Sequence, residues 1–142
     1  MEWGASAISA GKYATDADVA AVEKLLSASG KAIAVDESLQ DAVTATNGLG
    51  PAYFFRFVEA MIAGAMELGL SESDAHTLVV QTITGAAAVL SVEGADSSTL
   101  RQNVTSPNGT TFTALQVFEG SDLEDIIKRA MTGARDRSRE LS

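Results

Sequence analysis

Six small residues without charge lie side by side in the stretch SPNGTT, residues 106–111. Gly109 permits backbone conformations that other residues avoid, and Pro107 fixes one side of the turn. Thr110 or Thr111 is placed to cap the helix that is predicted to follow. Free N–H groups at a helix start, with hydroxyls beside them, can also bind a carboxylate. The stretch is therefore either a plain turn with a helix cap or a cradle for a small anion.

The other residues that could carry chemistry have simpler structural explanations. His76 is the only histidine and the chain contains no cysteine, so an ordinary zinc site cannot be assembled and no metal is predicted. We expect His76 to be a surface or capping residue. Asp122, Glu124 and Asp125 fall in the first turn of a predicted helix, where carboxylates complement the helix dipole. That position explains these acids without a metal or a catalytic role.

The segment NGLGPAY, residues 47–53, is the nearest approach to a phosphate-binding loop. Gly48 and Gly50 precede Pro51, which suits the first position of a helix with free N–H groups. No convincing strand precedes them, and neither G-x-G-x-x-G nor G-x-x-x-x-G-K-[ST] occurs in the sequence. We predict a tight turn here and no complete nucleotide-binding loop in the chain.

Charge and composition argue against several classes of function. Nineteen Asp and Glu against ten Lys and Arg give a formal net charge of −9, which repels nucleic acids and anionic membranes. The absence of cysteine excludes thiolate catalysis and suits a reducing cytoplasm. The first residues do not resemble a signal peptide, and the uncharged run at 77–92 is short for a membrane span. We expect a cytoplasmic protein that binds neither nucleic acid nor membrane.

The start of the chain follows a strand–helix–strand pattern. Apolar residues around Ala7 indicate a strand, Thr15 with the acids after it opens a helix, and Gly30 suits the C-terminal stop of that helix. The stretch KAIAVD then places Ile33 and Val35 on one face of a second short strand. Two strands bury too little surface to stand alone, so this part is interpreted as the tail of a larger α/β domain.

Two long helices are predicted next, and both are apolar on more than one side. The first begins at Pro51 and ends at Gly69. The second begins with a capping box of Ser71 and Asp74 and runs to about residue 91. Because their apolar residues cannot all face one core, these helices indicate a partner.

Three further helices complete a mainly α region. They are predicted at about 98–104, at 110–120, and from Ser121 onward, where an apolar stripe repeats every three or four residues. The expected fold is thus about five helices behind a strand–helix–strand remnant.

Three stretches of the sequence occur together in one known family. They are DAVTATNGLGPAYFFRFVEAMIAGAMELGL at 41–70, AAVLSVEGADSSTLRQNVTSPNGTT at 87–111 and RSREL at 137–141. In this order and spacing they resemble the C-terminal part of pyrroline-5-carboxylate reductase. Residues 9–45 resemble the last strand–helix–strand of that family's nucleotide-binding domain. The chain departs from the family at Leu49 and Asn108, where a serine and a glycine are usual.

The resemblance implies a role for five residues of the SPNGTT stretch. It implies substrate contacts from Ser106, Asn108, Gly109, Thr110 and Thr111 with 1-pyrroline-5-carboxylate. Ser106 and the amides around Gly109 and Thr110 would receive the carboxylate of the substrate. The hydroxyl of Thr111 would meet the ring nitrogen and serve as the catalytic contact.

The resemblance also implies an organisation and a reaction. Residues 1–40 would be the remnant of a Rossmann-like nucleotide-binding domain, and residues 41–142 a helical dimerisation and substrate-binding domain. The parent enzyme would transfer a hydride from NADPH or NADH to the C=N carbon of the substrate, giving proline. Members of the family form homodimers through their long helices, and some assemble further.

This chain alone is expected to bind no cofactor and to be inactive. The alternative hypothesis is a non-catalytic helical dimerisation module, descended from the same family, in which the SPNGTT stretch is kept only as a turn.

Overall fold

The computed structural model describes residues 4–141, which divide into two compact units. One unit contains the described residues up to Ala52 together with those from Ile127 onward. The other unit is Tyr53–Ile126. The first unit holds the strands, and the second holds most of the long helices.

A parallel strand pair with one crossover helix opens the first unit, as the sequence predicts. Strand β1 spans Gly4–Ile8, helix α1 spans Asp16–Leu26 and strand β2 spans Gly30–Ala34. The two strands pair in register from Gly4 opposite Gly30 to Ile8 opposite Ala34. The strand–helix–strand prediction is confirmed.

The start of α1 is a complete capping box. The amide of Asp18 donates to the Thr15 hydroxyl oxygen at 3.3 Å, and the amide of Thr15 donates to the Asp18 carboxylate at 2.8 Å. The hydrogen bond from the Thr15 hydroxyl, with that from its amide, holds the pKa of Asp18 below its usual value. This carboxylate therefore supports the helix above its ordinary pKa and ceases to do so as pH falls through the lowered value.

The prediction that Gly30 stops α1 is wrong. The helix ends at Leu26, and Ser27 is its C-cap, with its amide donating to the Glu23 carbonyl at 2.9 Å. Gly30 instead opens β2 with a φ of +156°, and a Cβ atom there would overlap the backbone of Gly4. The glycine is required by the close approach of the two strands.

Residues 37–48 are helical, so the tight turn predicted at NGLG is also wrong. A 3₁₀ turn at Glu37–Leu39 leads into α2 at Gln40–Val43 and then into a π turn at Thr44–Gly48. The amide of Leu49 donates to the Thr44 carbonyl at 3.0 Å. Two tertiary features favour helix here despite the glycines: the side-chain amide of Asn47 donates to the Ala5 carbonyl at 2.7 Å, and Ala45 is buried.

Five helices follow, as predicted, and make the chain mainly α. They are α3 at Gly50–Glu67, α4 at Glu72–Leu90, α5 at Ser97–Asn103, α6 at Thr110–Gly120 and α7 at Leu123–Leu141. Helix α7 begins two residues later than expected, because Ser121 is the C-cap of α6 and Asp122 has a φ of +52°. Within residues 4–141, no helix is long and apolar enough to cross a membrane.

The junction between α3 and α4 uses two capping motifs that the sequence indicates. Gly69 has a φ of +101°, its amide donates to Met66 at 2.9 Å, and the amide of Leu70 donates to Ala65 at 3.1 Å. These bonds form a Schellman motif. Ser71 then caps α4 by accepting from the Asp74 amide at 3.1 Å.

Apolar side chains of the long helices are widely exposed. Across α3–α7 only Gly50, Ala75 and Val79 are buried. Phe55 is 67% exposed, Leu78 56% and Val117 62%. The apolar faces that the sequence assigns to a partner are therefore left uncovered by the described chain.

The RSREL stretch forms ion pairs at the end of α7. Arg139 lies 3.5 Å from the carboxylate of Asp41 on α2, and Arg137 lies 2.7 Å from Glu140. Both arginines are more than half exposed, so these pairs add little to the stability of the fold.

Gly30→Ala is expected to lower the free energy of unfolding by roughly 1–3 kcal/mol, because alanine is strained at this φ and meets the backbone of β1. Gly11→Ala is the matched control, since a Cβ at Gly11 has no atom within 4 Å and Gly11 has no positive φ. Urea unfolding measures both variants. Equal stability of the two would contradict the close strand approach at Gly30.

Candidate functional site

The SPNGTT stretch connects α5 to α6 within the unit Tyr53–Ile126. Asp96 caps α5 by accepting from the Thr99 amide at 2.7 Å, and this bond lowers the pKa of Asp96. At the other end of α5, the Thr105 hydroxyl donates to the Arg101 carbonyl at 2.6 Å, and its amide donates to Gln102 at 3.0 Å. These two hydrogen bonds therefore hold Thr105, the residue before the loop, against the end of α5.

Residues 106–109 form a hydrogen-bonded turn. The amide of Gly109 donates to the Ser106 carbonyl at 3.0 Å, and Asn108, the third residue of the turn, has a φ of +58°. A turn with proline second and a positive φ third favours glycine or asparagine at that third position. Asn108 thus occupies the position of the turn that requires a residue able to adopt a positive φ.

Gly109 contributes space rather than an unusual backbone conformation. Its φ of −81° and ψ of 177° are extended values that any residue can adopt. A Cβ at Gly109 would lie 3.1 Å from the Ser106 carbonyl oxygen and 3.3 Å from the Ser106 Cβ. The turn therefore closes tightly because residue 109 has no side chain.

The expected cap of α6 by Thr110 or Thr111 is absent. Gly109 is the N-cap residue and no side chain caps the helix, while Thr110 and Thr111 are its first two residues. The first helical hydrogen bond runs from the Thr113 amide to the Gly109 carbonyl at 3.1 Å. The amides of residues 110–112 precede that bond and have no intrahelical acceptor, so they are available to an anion.

Hydroxyl groups inside the loop are also available. Those of Ser106, Thr110 and Thr111 form no hydrogen bond within the part of the chain that the structure describes. In contrast, the hydroxyls on either side are engaged: Thr105 donates to Arg101, and Thr113 donates to the Gly109 carbonyl at 3.2 Å. Thr111 is half-buried, whereas Ser106 and Thr110 are exposed. Free amides and free hydroxyls therefore lie together in one turn. Residues 104–113 contain no Asp or Glu, so no carboxylate of this stretch competes with a bound anion.

Two threonines that are not among the predicted site residues frame this loop. Thr105 and Thr113 each return a hydroxyl to the carbonyl four residues earlier. Threonine often forms this hydrogen bond in helices. Threonine at each helix boundary is therefore the signal in the sequence that indicates these two bonds.

The remaining candidate residues form no second site. His76 is exposed on α4, as predicted, and the acids at 122–125 lie at the start of α7. Among residues 4–141, no group of three His, Asp or Glu side chains could hold a metal ion.

The start of α1 does not fit a dinucleotide. In dinucleotide-binding folds, the pyrophosphate lies on free amides at a helix start after a strand. Here the amides of Thr15 and Asp18 are occupied by the capping box, and Asp16 with Asp18 brings negative charge to the first turn. These residues would repel a pyrophosphate.

Comparison with known proteins agrees with the mainly helical fold. The chain is built as a helical self-association domain, and the sequence profile described as "Pyrroline-5-carboxylate reductase dimerisation" matches residues 37–141. The chain belongs to this family, which confirms the resemblance seen in the sequence.

Similar proteins extend well beyond the region that this chain matches. The chain is 41% identical to pyrroline-5-carboxylate reductase of Pseudomonas aeruginosa over 143 residues, covering 100% of the chain and 52% of the relative. It is 41% identical to that of Arabidopsis thaliana over 138 residues, covering 97% and 50%. The chain thus spans about half the length of the curated relatives it matches, in their C-terminal part.

Solved structures of similar proteins share the fold. The structure of a pyrroline-5-carboxylate reductase from Coxiella burnetii matches with a TM-score of 0.92 at 34% identity, over 96% of this chain and 52% of that one. The Plasmodium falciparum pyrroline carboxylate reductase, solved with NADP bound, matches with a TM-score of 0.81 at 27% identity, over 92% and 53%.

Gly109→Ala is expected to open the 106–109 turn, because the new Cβ would press on the carbonyl and Cβ of Ser106. Amide chemical shifts of residues 104–112 should change while the helical content is kept. Gly120→Ala, at the other end of α6, is the matched control because a Cβ there has no neighbour within 4 Å. Unchanged shifts in Gly109→Ala would show that the turn tolerates a side chain.

Proposed function

We propose that this chain forms the dimerisation and substrate-binding half of a pyrroline-5-carboxylate reductase. Such an enzyme reduces 1-pyrroline-5-carboxylate to proline with NADPH or NADH. The observation that carries the proposal is the 106–111 loop, where free amides and hydroxyls meet in a member of this family.

The carboxylate of the substrate is assigned to the start of α6. The amides of Thr110 and Thr111 point along the helix axis at its positive end, and the Ser106 hydroxyl lies in the same turn. The Gly109 amide is already bonded to Ser106 at 3.0 Å, so Gly109 supplies space rather than a donor. Asn108 holds the turn in the conformation that presents these groups.

The ring nitrogen is assigned to the Thr111 hydroxyl. Reduction of the C=N bond adds a hydride to carbon and leaves a proton on nitrogen, so the charge at nitrogen changes during the reaction. A half-buried hydroxyl with no other partner can adjust to that change as donor or acceptor. Such a contact is most useful when it is stronger in the transition state than in the bound substrate.

The cofactor is assigned to residues outside this chain. A nicotinamide supplies the hydride when it is bound, but the capped and acidic start of α1 does not fit its pyrophosphate. The residues of this chain hold and orient the substrate.

Self-association is assigned to α3 and α4, because their apolar faces are exposed in the single chain. Soluble monomers rarely expose contiguous apolar patches of more than a few hundred Å². A second copy can cover the same faces, since a two-fold interface uses one surface twice. The description of the family as a dimerisation domain supports this assignment.

Sedimentation at micromolar concentration is expected to give about twice the chain mass of 14.7 kDa. Phe55→Glu should weaken the dimer, because a charge would enter an apolar interface. Leu25→Glu on α1 is the control, with a similarly exposed leucine outside the five helices. A folded monomer in the unsubstituted chain would contradict the assignment.

The 142-residue chain alone is expected to show no substrate-dependent oxidation of NADPH, because the cofactor lacks a binding loop in it. The assay supplies substrate and cofactor to the purified chain, with the Pseudomonas aeruginosa relative as the active control. Clear turnover by the chain alone would place the cofactor site within it.

Thr111→Ala is expected to lower kcat/KM by about 5- to 150-fold, equivalent to the loss of roughly 1–3 kcal/mol of transition-state binding. The assay requires a chimera in which the N-terminal half of the Pseudomonas aeruginosa relative precedes this chain. Thr110→Ala is the control, because its amide remains after the substitution and only an exposed, unbonded hydroxyl is lost.

The two variants also separate the reductase from a non-catalytic dimerisation module. An active chimera in which Thr111→Ala leaves both kcat and KM unchanged would reduce the loop to a plain turn. A dimeric but inactive chimera would favour the module.

A further inference from the structure

The chain contains three asparagines, and two of them precede glycine. Asn47 is followed by Gly48, Asn108 by Gly109, and Asn103 by the branched Val104. In an Asn-Gly pair the backbone nitrogen of glycine can reach the side-chain carbonyl carbon of asparagine, because glycine has no Cβ in the way. Asparagine is accordingly one of the thermolabile residues of proteins.

We propose that Asn108 is a site of spontaneous deamidation, and that the fold directs this reaction to Asn108 and away from Asn47. The Gly109 nitrogen attacks the side-chain carbonyl carbon of Asn108, its proton is lost, and ammonia leaves, which forms a five-membered succinimide. Water then adds to one of the two ring carbonyls and opens the ring. The products are aspartate, or isoaspartate when the chain continues through the former side chain.

Asn108 is free to follow this route. It is exposed, its side chain forms no hydrogen bond among residues 4–141, and it lies in a four-residue turn outside any helix. One hydrogen bond, from the Gly109 amide to Ser106 at 3.0 Å, restrains the attacking nitrogen.

Asn47 is also followed by glycine, but the structure around it restrains both its backbone and its side chain. It lies in the π turn at Thr44–Gly48, and its side-chain amide donates to the Ala5 carbonyl at 2.7 Å. Both the helical turn and this bond must break before the ring can close. Because local opening precedes the reaction, we expect Asn47 to react at least about tenfold more slowly than Asn108.

Deamidation would change the loop in two ways. It places a carboxylate two residues before Thr110, whose amide is assigned to an anion, and isoaspartate adds one atom to the backbone of the turn. This consequence rests on the proposed function, whereas the reaction itself does not.

The test is incubation of the purified chain in mildly alkaline buffer, followed by trypsin digestion and mass spectrometry. Cleavage after Lys31 and Arg56 isolates Asn47 in residues 32–56, and cleavage after Arg101 and Lys128 isolates Asn103 and Asn108 in residues 102–128. Fragmentation then assigns the modified residue. We expect loss of the amide at Asn108 well before Asn47, and none at Asn103 on the same time scale.

Incubation in denaturant is the matched control. Without the fold, the two Asn-Gly pairs should react at similar rates, so the difference must disappear. The proposal is overturned if the folded chain modifies both asparagines equally, modifies Asn47 first, or protects Asn108 as well. Asn108→Gln should remove the reaction at this position, since its longer side chain would need a larger ring.

A separate arm addresses the consequence for the loop. In the active chimera, Asn108→Asp should raise KM for substrate relative to the unsubstituted chimera, because a carboxylate would face the substrate carboxylate and aspartate also tolerates a positive φ. Equal KM values would contradict the assigned anion contact at the start of α6 and leave the deamidation result intact.

Discussion

The need to keep water from the apolar faces of α3–α7 is the constraint on which the rest of this structure depends. Only three residues of these helices are buried in the described chain, so tertiary support for the helices must come largely from outside it. Short helices are marginal without such support. Helices α5 and α6, which flank the 106–111 loop, have seven and eleven residues and are therefore dependent on their surroundings.

The loop between them is, in contrast, shaped by its own bonds. The hydroxyls of Thr105 and Thr113 donate to the carbonyls four residues earlier. One backbone hydrogen bond closes the turn between Ser106 and Gly109. The shape of the loop is thus local, while its rigidity depends on packing of the helices. This division lets a turn of small residues present backbone amides together with the short hydroxyl side chains of Ser106, Thr110 and Thr111.

Local signals explain which parts of the fold could be predicted. Thr15 at the start of α1, Ser71 at the start of α4 and Gly69 at the end of α3 each act within a few residues, and all three occur where the sequence places them. The local pattern is misleading at Gly30 and in the NGLG segment, because the conformations of both depend on residues far away in the sequence. Gly30 meets the backbone of Gly4, and Asn47 bonds to Ala5, which no local pattern reveals.

The same distinction applies to the site. Residue types alone indicate a turn rich in donors, but they do not show which donors are already used. The sequence favours Gly109 for a backbone conformation that other residues avoid, yet Asn108 has the positive φ and Gly109 provides the space. The threonines after it were expected to cap α6 and instead keep their hydroxyls free.

The π turn at Thr44–Gly48 limits how the length of this chain can change. Its hydrogen bond from Leu49 to Thr44 encloses one residue more than an α-helical bond would. Removal of one residue there would restore an α-helical bond, because a π turn accommodates one extra residue between the turns on either side of it.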